Sequence, residues 1–358
     1  MSHSTYIFEG YLVAEQPLAK CSKDLLEREG KKNQPTPIPT TQTAQGLRLM
    51  FPASGLRGGL RRACRDVVRD CVIEKTGNDK PFDLDSHFLL SLGGIKGSGE
   101  EDKSSVTRIA ELRTQNPLIN LFGAGDAGTA GFVSGRLGIG NAICEEPLEP
   151  VIFSGARSDD VYRDPDQAEY LSDADLLRLT DMASGNRELS RMKAESTKLK
   201  RSYYEAREKG DTAASESIQQ QLEALDQKMA STREESGSKN SIGMPLAGWK
   251  AIPQGARLAQ RSIMRRATDV DLGLFLATLN RFGLEPFLGA HYASGNGLVS
   301  GSWTVHEVTL AGKKEVGRVK MKPFDTITVT GEPLLAAQQA FQAFIDEGNW
   351  NFHQPEKV

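Results

Sequence analysis

The segment TDVDLGLFLATLNRFG, residues 268–283, combines a helix start, a buried face and a helix stop, and it decides the fold. Thr268 and Asp271 have the three-residue spacing of a capping box, in which each side chain accepts a hydrogen bond from the other's backbone N–H. Gly283 lies where a helix end favours a residue that tolerates left-handed backbone. Apolar residues between them recur at the i, i+3, i+4 and i+7 spacing of an amphipathic helix: Leu272, Phe275, Leu276 and Leu279.

Strands and helices intermix on both sides of this segment. Stretches rich in β-branched and aromatic residues predict strands at 5–14, 302–309, 316–321 and 325–330. A closing helix is predicted from Pro333 to Ile345, because proline is favoured in the first turn. The predicted fold class is therefore α+β.

A second amphipathic helix is predicted in GLRGGLRRACRDVVRDCVIEK, residues 55–75, with Ser54 as its N-cap. Residues 47–51 and Pro52 precede it. Residues 116–143 carry seven glycines, which predicts loops between short strands rather than a helix.

The middle of the chain has a different composition. Residues 145–181 hold eleven acidic residues and three arginines, and residues 187–235 are charged and favour helix. The second stretch predicts a polar helical hairpin broken near Gly210, standing as an insertion. A partly disordered arm is the alternative that its low apolar content leaves open.

Composition excludes several classes of protein. The 358 residues carry 44 Lys+Arg and 47 Asp+Glu, a net charge of −3 that does not by itself indicate a nucleic-acid binder. The sequence contains no apolar run of the ~18 residues needed to span a bilayer, and the start lacks a secretory signal, so a cytoplasmic protein without membrane contact is expected. The cysteines and histidines lack zinc-ligand spacing, and neither metal nor cofactor is predicted.

Counting charge by segment changes this average. Residues 48–65 hold five arginines and no acid, residues 236–268 hold six bases and no acid, and residues 313–322 hold five bases and one glutamate. These clusters predict a molecule with separate basic and acidic regions.

Two arginine rows have helical or strand-like spacing. Arginines recur at every fourth position at 57, 61, 65 and 69, and again at 257, 261 and 265. The guanidinium group matches phosphate oxygens, and the intervening glycines allow the backbone to approach the same ligand, so parallel rows suit a regular polyanion. The alternative is an ordinary solvated helix face, because Arg62 lies near Asp66 and Asp70.

Enzyme-like motifs in the sequence lack the neighbouring residues that their chemistry requires. GAGDAG, residues 123–128, matches G-x-G-x-x-G, but further glycines stand where a crossover helix should begin, so a nucleotide-binding oxidoreductase is disfavoured. His291, in the glycine-bounded LGAHYASGNG, is a possible catalytic group or a base-stacking loop residue. The sequence places no second catalytic group beside it.

Four segments in order resemble one family. FPASGLRGGLRRA and NLFGAGDAGTAGFVSGRLGIGNA resemble the basic helix and the phenylalanine-glycine loop of RAMP-superfamily backbone subunits of CRISPR effector complexes. IPQGARLAQRSIMRRATDVDLGLFLATLNRFG and LGAHYASGNGLVSG are similar to the late strand-helix unit and the closing glycine-rich loop of that family.

The resemblance implies an RRM-like, ferredoxin-like palm with an inserted thumb that contains the helical hairpin. The expected division is 1–149 and 251–358 for the palm and 150–250 for the thumb. The thumb would displace one base with apolar residues placed between lysines: Ile242, Met244, Leu246 and Trp249. Packing of these residues on the palm is the alternative.

The implied function is a guide-RNA-binding backbone subunit for antiviral defence. Its implied partners are guide RNA, the complementary target nucleic acid, further copies in a helical filament, and other effector subunits. RNA-cutting type III relatives carry an aspartate before the basic helix, whereas residues 31–53 contain no acid, so a non-cleaving subunit similar to type IV is expected. A metal-independent endoribonuclease that uses His291 to process guide RNA is the alternative.

The candidate site follows from the arginine rows and from the resemblance. The residues expected to contact RNA are Arg48, Ser54, Gly55, Arg57, Gly58, Arg61, Arg65, Arg257, Arg261, Arg265, His291 and Asn296.

Overall fold

A computed structural model describes residues 3–20, 34–95, 106–156, 166, 169, 171–208, 211–235 and 245–355. The chain divides into two compact units, one formed by residues 1–153 and 248–358 and the other by residues 154–247. The first unit is called the body below. The boundaries of the predicted palm and thumb stay a prediction.

The described strands number twelve, and the described α-helices number eight. The strands are β1 (Ser4–Ala14), β2 (Leu18–Ala19), β3 (Thr40–Thr43), β4 (Gly46–Phe51), β5 (Leu137–Ile139), β6 (Ala142–Cys144), β7 (Val151–Ala156), β8 (Pro245–Ile252), β9 (Arg257–Ala267), β10 (Val299–Thr309), β11 (Gly312–Met321) and β12 (Thr328–Thr330). The helices are α1 (Ala53–Thr76), α2 (Leu84–Leu92), α3 (Val106–Gln115), α4 (Pro117–Phe122), α5 (Asp173–Glu208), α6 (Thr212–Glu235), α7 (Asp269–Leu284) and α8 (Glu332–Glu347).

The core of the body is an antiparallel sheet in the order β12-β11-β10-β1-β9-β6-β4-β3, with β5 also paired to β9. Along the chain, the elements of this central part follow in the order β1, α1, β5/β6, β9, α7 and β10. In the sheet, the four strands lie in the order β10-β1-β9-β5/β6. This is the βαββαβ connection of a ferredoxin-like fold. The predicted α+β class and ferredoxin-like palm are confirmed.

Helices α1 and α7 cover one face of this sheet. A small enclosed space between them is lined by Leu56 and Leu60 of α1, Phe275 of α7, and Gln260 and Ser262 of β9. These contacts identify the face of β9 that points toward the helices. The alternate residues of β9 point away from them.

Helix α7 begins as the sequence predicts. Thr268 Oγ1 accepts from the Asp271 N–H at 3.2 Å, and the Asp271 carboxylate accepts from the Thr268 N–H at 2.9 Å, which completes the capping box. The helix continues past Gly283 to Leu284. A Cβ on Gly273 would lie 2.1 Å from the Ala337 carbonyl oxygen, so this glycine allows the close approach of α8.

The glycine-rich stretch differs from the prediction, because residues 117–122 form the helix α4. Asn116 caps this helix by accepting from the Ile119 N–H at 3.1 Å, and Pro117 occupies its first turn. An Asn-Pro start is a recognised helix signal, but the six-residue apolar segment is too short to show a helical period.

The second unit contains the predicted hairpin, α5 and α6, and residues 209–210 between them lie outside the described residues. The two helices pack through a short apolar seam of Leu189, Met192, Leu225 and Met229. Much of the acidic stretch 145–181 lies outside the described residues. Within the described ranges, no helix has the length and apolar content needed to cross a membrane.

Candidate nucleic-acid interface

The N-terminal end of α1 lies at the centre of the candidate site. Pro52 is its N-cap, and the Ala53 N–H donates to Asn141 Oδ1 at 2.8 Å. The predicted N-cap, Ser54, is wrong, because the fixed backbone of Pro52 starts the helix two residues earlier. The first turn contains no acidic residue, so the positive end of the helix dipole is uncompensated there.

Arg61 is an internal residue of the body, although the sequence predicted an RNA contact. Its guanidinium donates to the carbonyl oxygens of Leu89 at 2.7 Å, Leu90 at 2.8 Å and Gly123 at 2.9 Å. Leu89 and Leu90 lie in the last turn of α2. The Leu89 carbonyl also accepts from the Gly93 N–H at 3.0 Å, whereas Leu90 is at a position where carbonyls lack helical partners, so the arginine helps to cap this helix. Burial, with a smaller contribution from Arg57, lowers the pKa of Arg61 to about 10.

Arg57 lies one turn of α1 before Arg61 and also contacts the glycine-rich segment, residues 116–143. Its Nη1 donates to the Leu137 carbonyl at 3.2 Å, its Nη2 donates to the Phe122 carbonyl, and its guanidinium lies over the Phe122 ring. Burial lowers the pKa of Arg57. Arg57 and Arg61 therefore hold the glycine-rich segment against α1. Arg57 is half-buried.

Arg65 and Arg69, the last two arginines of the predicted α1 row, form ion pairs with aspartates. Arg65 pairs with Asp66 at 2.8 Å, and Arg69 pairs with Asp66 and Asp70 at 3.2 and 2.7 Å. Around Arg65 and Arg69, α1 therefore has the ordinary solvated helix face that was the alternative to a row of phosphate-binding arginines. Arg62 is exposed on α1, with no ion pair or hydrogen bond to another described residue. The every-fourth spacing had omitted it.

A groove of about 450 Å³, called the α1 groove, runs between α1 and the glycine-rich segment. None of the described residues that line it is acidic. Its lining comprises Ser54, Arg57, Gly58, Arg61, Arg62, Ser91, Leu92, Gly93, Phe122, Gly123, Ala124, Gly125, Phe132, Val133, Ser134 and Gly135. Phe132 is 67% exposed, which gives the basic, glycine-lined groove one free aromatic ring.

The loop 289–297 lies near the α1 start, because a Cβ on Gly289 would be 3.1 Å from the Phe51 ring and a Cβ on Gly55 would be 2.7 Å from the same ring. The Ala290 N–H donates to the Ala19 carbonyl at 3.0 Å, and Gly289 has φ +85 with no room for a Cβ atom beside that carbonyl. The next residue, Lys20, has its ammonium 3.7 Å from the position that a Cβ on Gly55 would occupy. Lys20 therefore adds a cation beside the α1 start, which no sequence motif had indicated.

His291 and Asn296 of this loop both contact Trp249, although His291 is exposed and Asn296 is buried. The His291 imidazole stacks on the Trp249 indole with centroids 3.9 Å apart, and Phe153 stacks on Trp249 at 5.6 Å. Asn296 is fully buried and accepts from Trp249 Nε1 at 3.4 Å. Burial lowers the pKa of His291, so the neutral ring is favoured. No described residue forms a hydrogen bond or ion pair with the imidazole that would identify a catalytic partner.

The predicted wedge is described at Trp249, whose indole is only 8% exposed and packs within the body. This position corresponds to the packing alternative rather than to a free wedge. Ile242 and Met244 lie outside the described residues. Leu246 belongs to β8, and only its backbone is described.

The β9 row does not share a surface with the α1 row. Arg257, Arg261 and Arg265 are exposed on the sheet face opposite to the helices. Arg257 pairs with Glu145 at 3.0 Å and covers the Tyr11 ring, and Arg261 pairs with Glu9 at 2.7 Å. The two arginine rows are therefore not parallel rows beside one ligand, because strand alternation places the β9 row on the sheet face away from α1. Carboxylates pair with two of its three arginines.

Arg48 is also buried, at 7% exposure, and it donates to the Leu47 carbonyl at 3.2 Å. It lines a separate cavity of about 300 Å³ that Glu149 and Lys250 also border. The structure therefore brings Ser54, Gly58 and Arg57 together at the α1 groove but leaves Arg48 apart from it. No cluster of three metal-ligating side chains occurs in the described part of the chain.

The comparisons with known proteins give structural neighbours only. No protein-family model and no curated protein matches the chain. A Type IV-B CRISPR complex aligns at 13% identity and a TM-score of 0.40, over 86% of this chain and 91% of its own. The Csm3-Csm4 subcomplex of the type III-A CRISPR-Cas interference complex aligns at 10% identity and 0.35, over 96% and 97%. Csc2 of Thermofilum pendens aligns at 11% and 0.33, over 98% and 76%.

These likenesses concern the fold alone.

Proposed function

We propose that the chain is an RNA-binding backbone subunit of a CRISPR effector complex, which holds guide RNA along the α1 groove without cutting it. The observation that carries the proposal is the acid-free lining of this groove. Arg62 and the start of α1 supply positive charge, and glycines on both walls leave space for a sugar-phosphate backbone.

Lys20 and the 289–297 loop would extend this surface past the α1 start. Contacts of this kind are with phosphates, so affinity would depend on salt and little on sequence. Phe132 would add stacking that every base can satisfy.

Absence of cutting is part of the proposal. It rests on the lack of any acid in residues 31–53 and on the packing of His291 against Trp249. An endoribonuclease would need a second group that handles protons beside His291.

The first experiment measures nucleic acid in the purified protein. We expect an absorbance ratio at 260 and 280 nm above that of protein alone, which falls after ribonuclease treatment. Incubation with guide-precursor RNA in EDTA should leave the RNA intact. Cleavage that His291→Ala abolishes would instead establish the endoribonuclease.

The second experiment tests the groove. The double variant Lys20→Gln with Arg62→Gln should weaken binding of unrelated single-stranded RNAs alike, by roughly tenfold or more, and lower the salt slope by roughly 1 per lost contact. Arg318→Gln is the matched control, because this exposed arginine lies on β11 and is neutralised by Glu315. Unchanged RNA affinity in the double variant would reject the groove.

The third experiment tests the filament. Repeated copies along one RNA need a head-to-tail contact that does not close. Native mass spectrometry with RNAs of increasing length should show steps of one protein mass. A fixed stoichiometry at all lengths would contradict the backbone role.

A further inference from the structure

A second cavity, of about 490 Å³, lies in the body between α3 and the start of α7 and is called the α3–α7 cavity. It has the size of a small-molecule site. It is separated from the α1 groove by the segment around Ser134, whose carbonyl accepts from Arg113 Nη2 at 2.6 Å. Arg113 and Arg136 line this cavity, and neither belongs to the groove.

The floor of the cavity is a buried hydrogen-bond network. Asn120 and Asp271 are 3% and 1% exposed, and Asn120 Nδ2 donates to both Asp271 carboxylate oxygens at 2.8 and 2.9 Å. Arg113 Nη1 donates to Asn120 Oδ1 at 2.6 Å. Asp271 Oδ2 also accepts from the Thr268 N–H and hydroxyl, both at 2.9 Å. The carboxylate is therefore occupied by the helix cap and holds the floor rigid.

Arg113 and Arg136 form no ion pair with a carboxylate of the described residues, and their hydrogen bonds go to neutral oxygens. Burial lowers the pKa of Arg113, and the charges of Arg136 and Arg266 lower it further, while Asp271 opposes them. Arg136 donates to the Arg266 carbonyl, a neutral acceptor. Each guanidinium has five N–H donors, so both arginines keep donors for a ligand. An anion between them would relieve this repulsion. Glu347 also lines the cavity but is exposed, so water screens its charge.

Part of the remaining lining is apolar. Pro117, Val270 and Phe344 supply it, beside polar side chains that include Thr114 and Asn349. A ligand that contacts both the arginines and the apolar side chains carries an anionic group and a flat, weakly polar body. We infer that the α3–α7 cavity binds a nucleotide, with its phosphate on Arg113 and Arg136 and its base against Val270 and Phe344. The nucleotide is either free or part of an RNA strand, and only the second source rests on the proposed function.

The experiment titrates the full chain with AMP, with inorganic phosphate, and with short RNAs that carry a 5′-phosphate or a 5′-hydroxyl. The variants are Arg136→Gln and Thr114→Glu, and Arg201→Gln on α5 is the control. Thr114 is exposed on α3 and lines the cavity, so glutamate there adds a repelling charge at a position that tolerates it. Calorimetry measures affinity, and thermal melting checks each fold.

We expect saturable AMP binding that either variant weakens at least tenfold, while Arg201→Gln binds as the wild type does. If AMP does not bind but the variants weaken the 5′-phosphorylated RNA, the nucleotide belongs to a strand. If AMP, phosphate and both RNAs bind the wild type and both variants alike, or none of them binds, the inference is overturned.

The two proposals fail separately. AMP binding that depends on Arg136, together with RNA binding unaffected by Lys20→Gln and Arg62→Gln, would retain the cavity and reject the groove. The reverse pattern would retain the groove alone. If Arg136→Gln lowers the melting temperature, Thr114→Glu and the charge-preserving Arg136→Lys, which should retain part of the affinity, decide the outcome.

Discussion

Arg61 and Arg62 are adjacent in the sequence but differ in what surrounds their guanidinium groups. Arg61 turns inward and donates to the carbonyls that end α2 and begin the glycine-rich segment. Arg62 turns toward the α1 groove and is exposed. Stability should therefore depend on the first residue and nucleic-acid affinity on the second.

Replacing Arg61 by methionine should lower the free energy of unfolding by about 3 kcal/mol, because the buried carbonyls of Leu90 and Gly123 lose their donor. Arg62→Met, the matched control, should change it by no more than about 0.5 kcal/mol. Urea denaturation followed by circular dichroism measures both. Equal midpoints for the two variants would show that Arg61 has no special structural role.

At the scale of elements, α1 and the glycine-rich segment form the groove through two different uses of glycine. A Cβ on Gly123, where φ is +69, would lie 2.5 Å from the Gly135 nitrogen, so two backbone segments meet there. A Cβ on Gly58 would meet only Arg62 Nη1, at 3.6 Å. Gly123 is thus required by packing, whereas Gly58 keeps the groove surface bare.

Gly58→Ala should raise the free energy of unfolding by up to about 1 kcal/mol, because alanine is the better helix former. The same methyl group projects into the groove and should lower RNA affinity. Gly123→Ala should lower stability by about 2 kcal/mol or more, through strain and contact. Thermal melting and filter binding separate these effects. If Gly58→Ala raises both stability and affinity, RNA does not approach this turn.

Elements with strong local signals could be predicted from the sequence, and relations between elements could not. The capping box at Thr268 and the apolar period that follows it specify α7 without tertiary information. The placement of Arg257 and Arg261 opposite to α1 depends on strand register and on which face the helices cover. Spacing alone gives a common face within one element and carries no information about its neighbour.

Only part of the candidate site could be predicted, because the site also depends on relations between elements. Four-residue spacing found Arg57 and Arg61 but gave no measure of burial, and the structure shows that both hold backbone carbonyls. Lys20 reaches the α1 start through the pairing of Ala19 with the 289–297 loop, a contact between distant parts of the chain. Sequence could not anticipate that contact.

At the scale of the whole molecule, the second unit is an insertion between two strands. Strands β7 and β8 are neighbours in the small sheet β2-β8-β7, so the chain leaves and re-enters the body at one place. Among the described residues, none from 157 to 244 belongs to the buried apolar clusters of the body. The body should therefore fold without the inserted segment.

Replacing residues 157–244 by a flexible linker of about ten residues should leave a folded body with a cooperative melting transition. The variant should still bind single-stranded RNA with the Lys20 and Arg62 dependence described above. Filament formation is measured in parallel, by native mass spectrometry. A variant that is unfolded would show that the insertion contributes to the stability of the body.

The helical hairpin has a consequence for how such chains can diverge. Its helices contain 36 and 24 residues, about 54 and 36 Å at 1.5 Å per residue. Because the loop closes between neighbouring strands, doubling its length adds only about 0.6 kcal/mol of closure entropy. Insertions or deletions of whole helical turns therefore leave the sheet almost unaffected. The length of the hairpin can therefore change while the body keeps its fold.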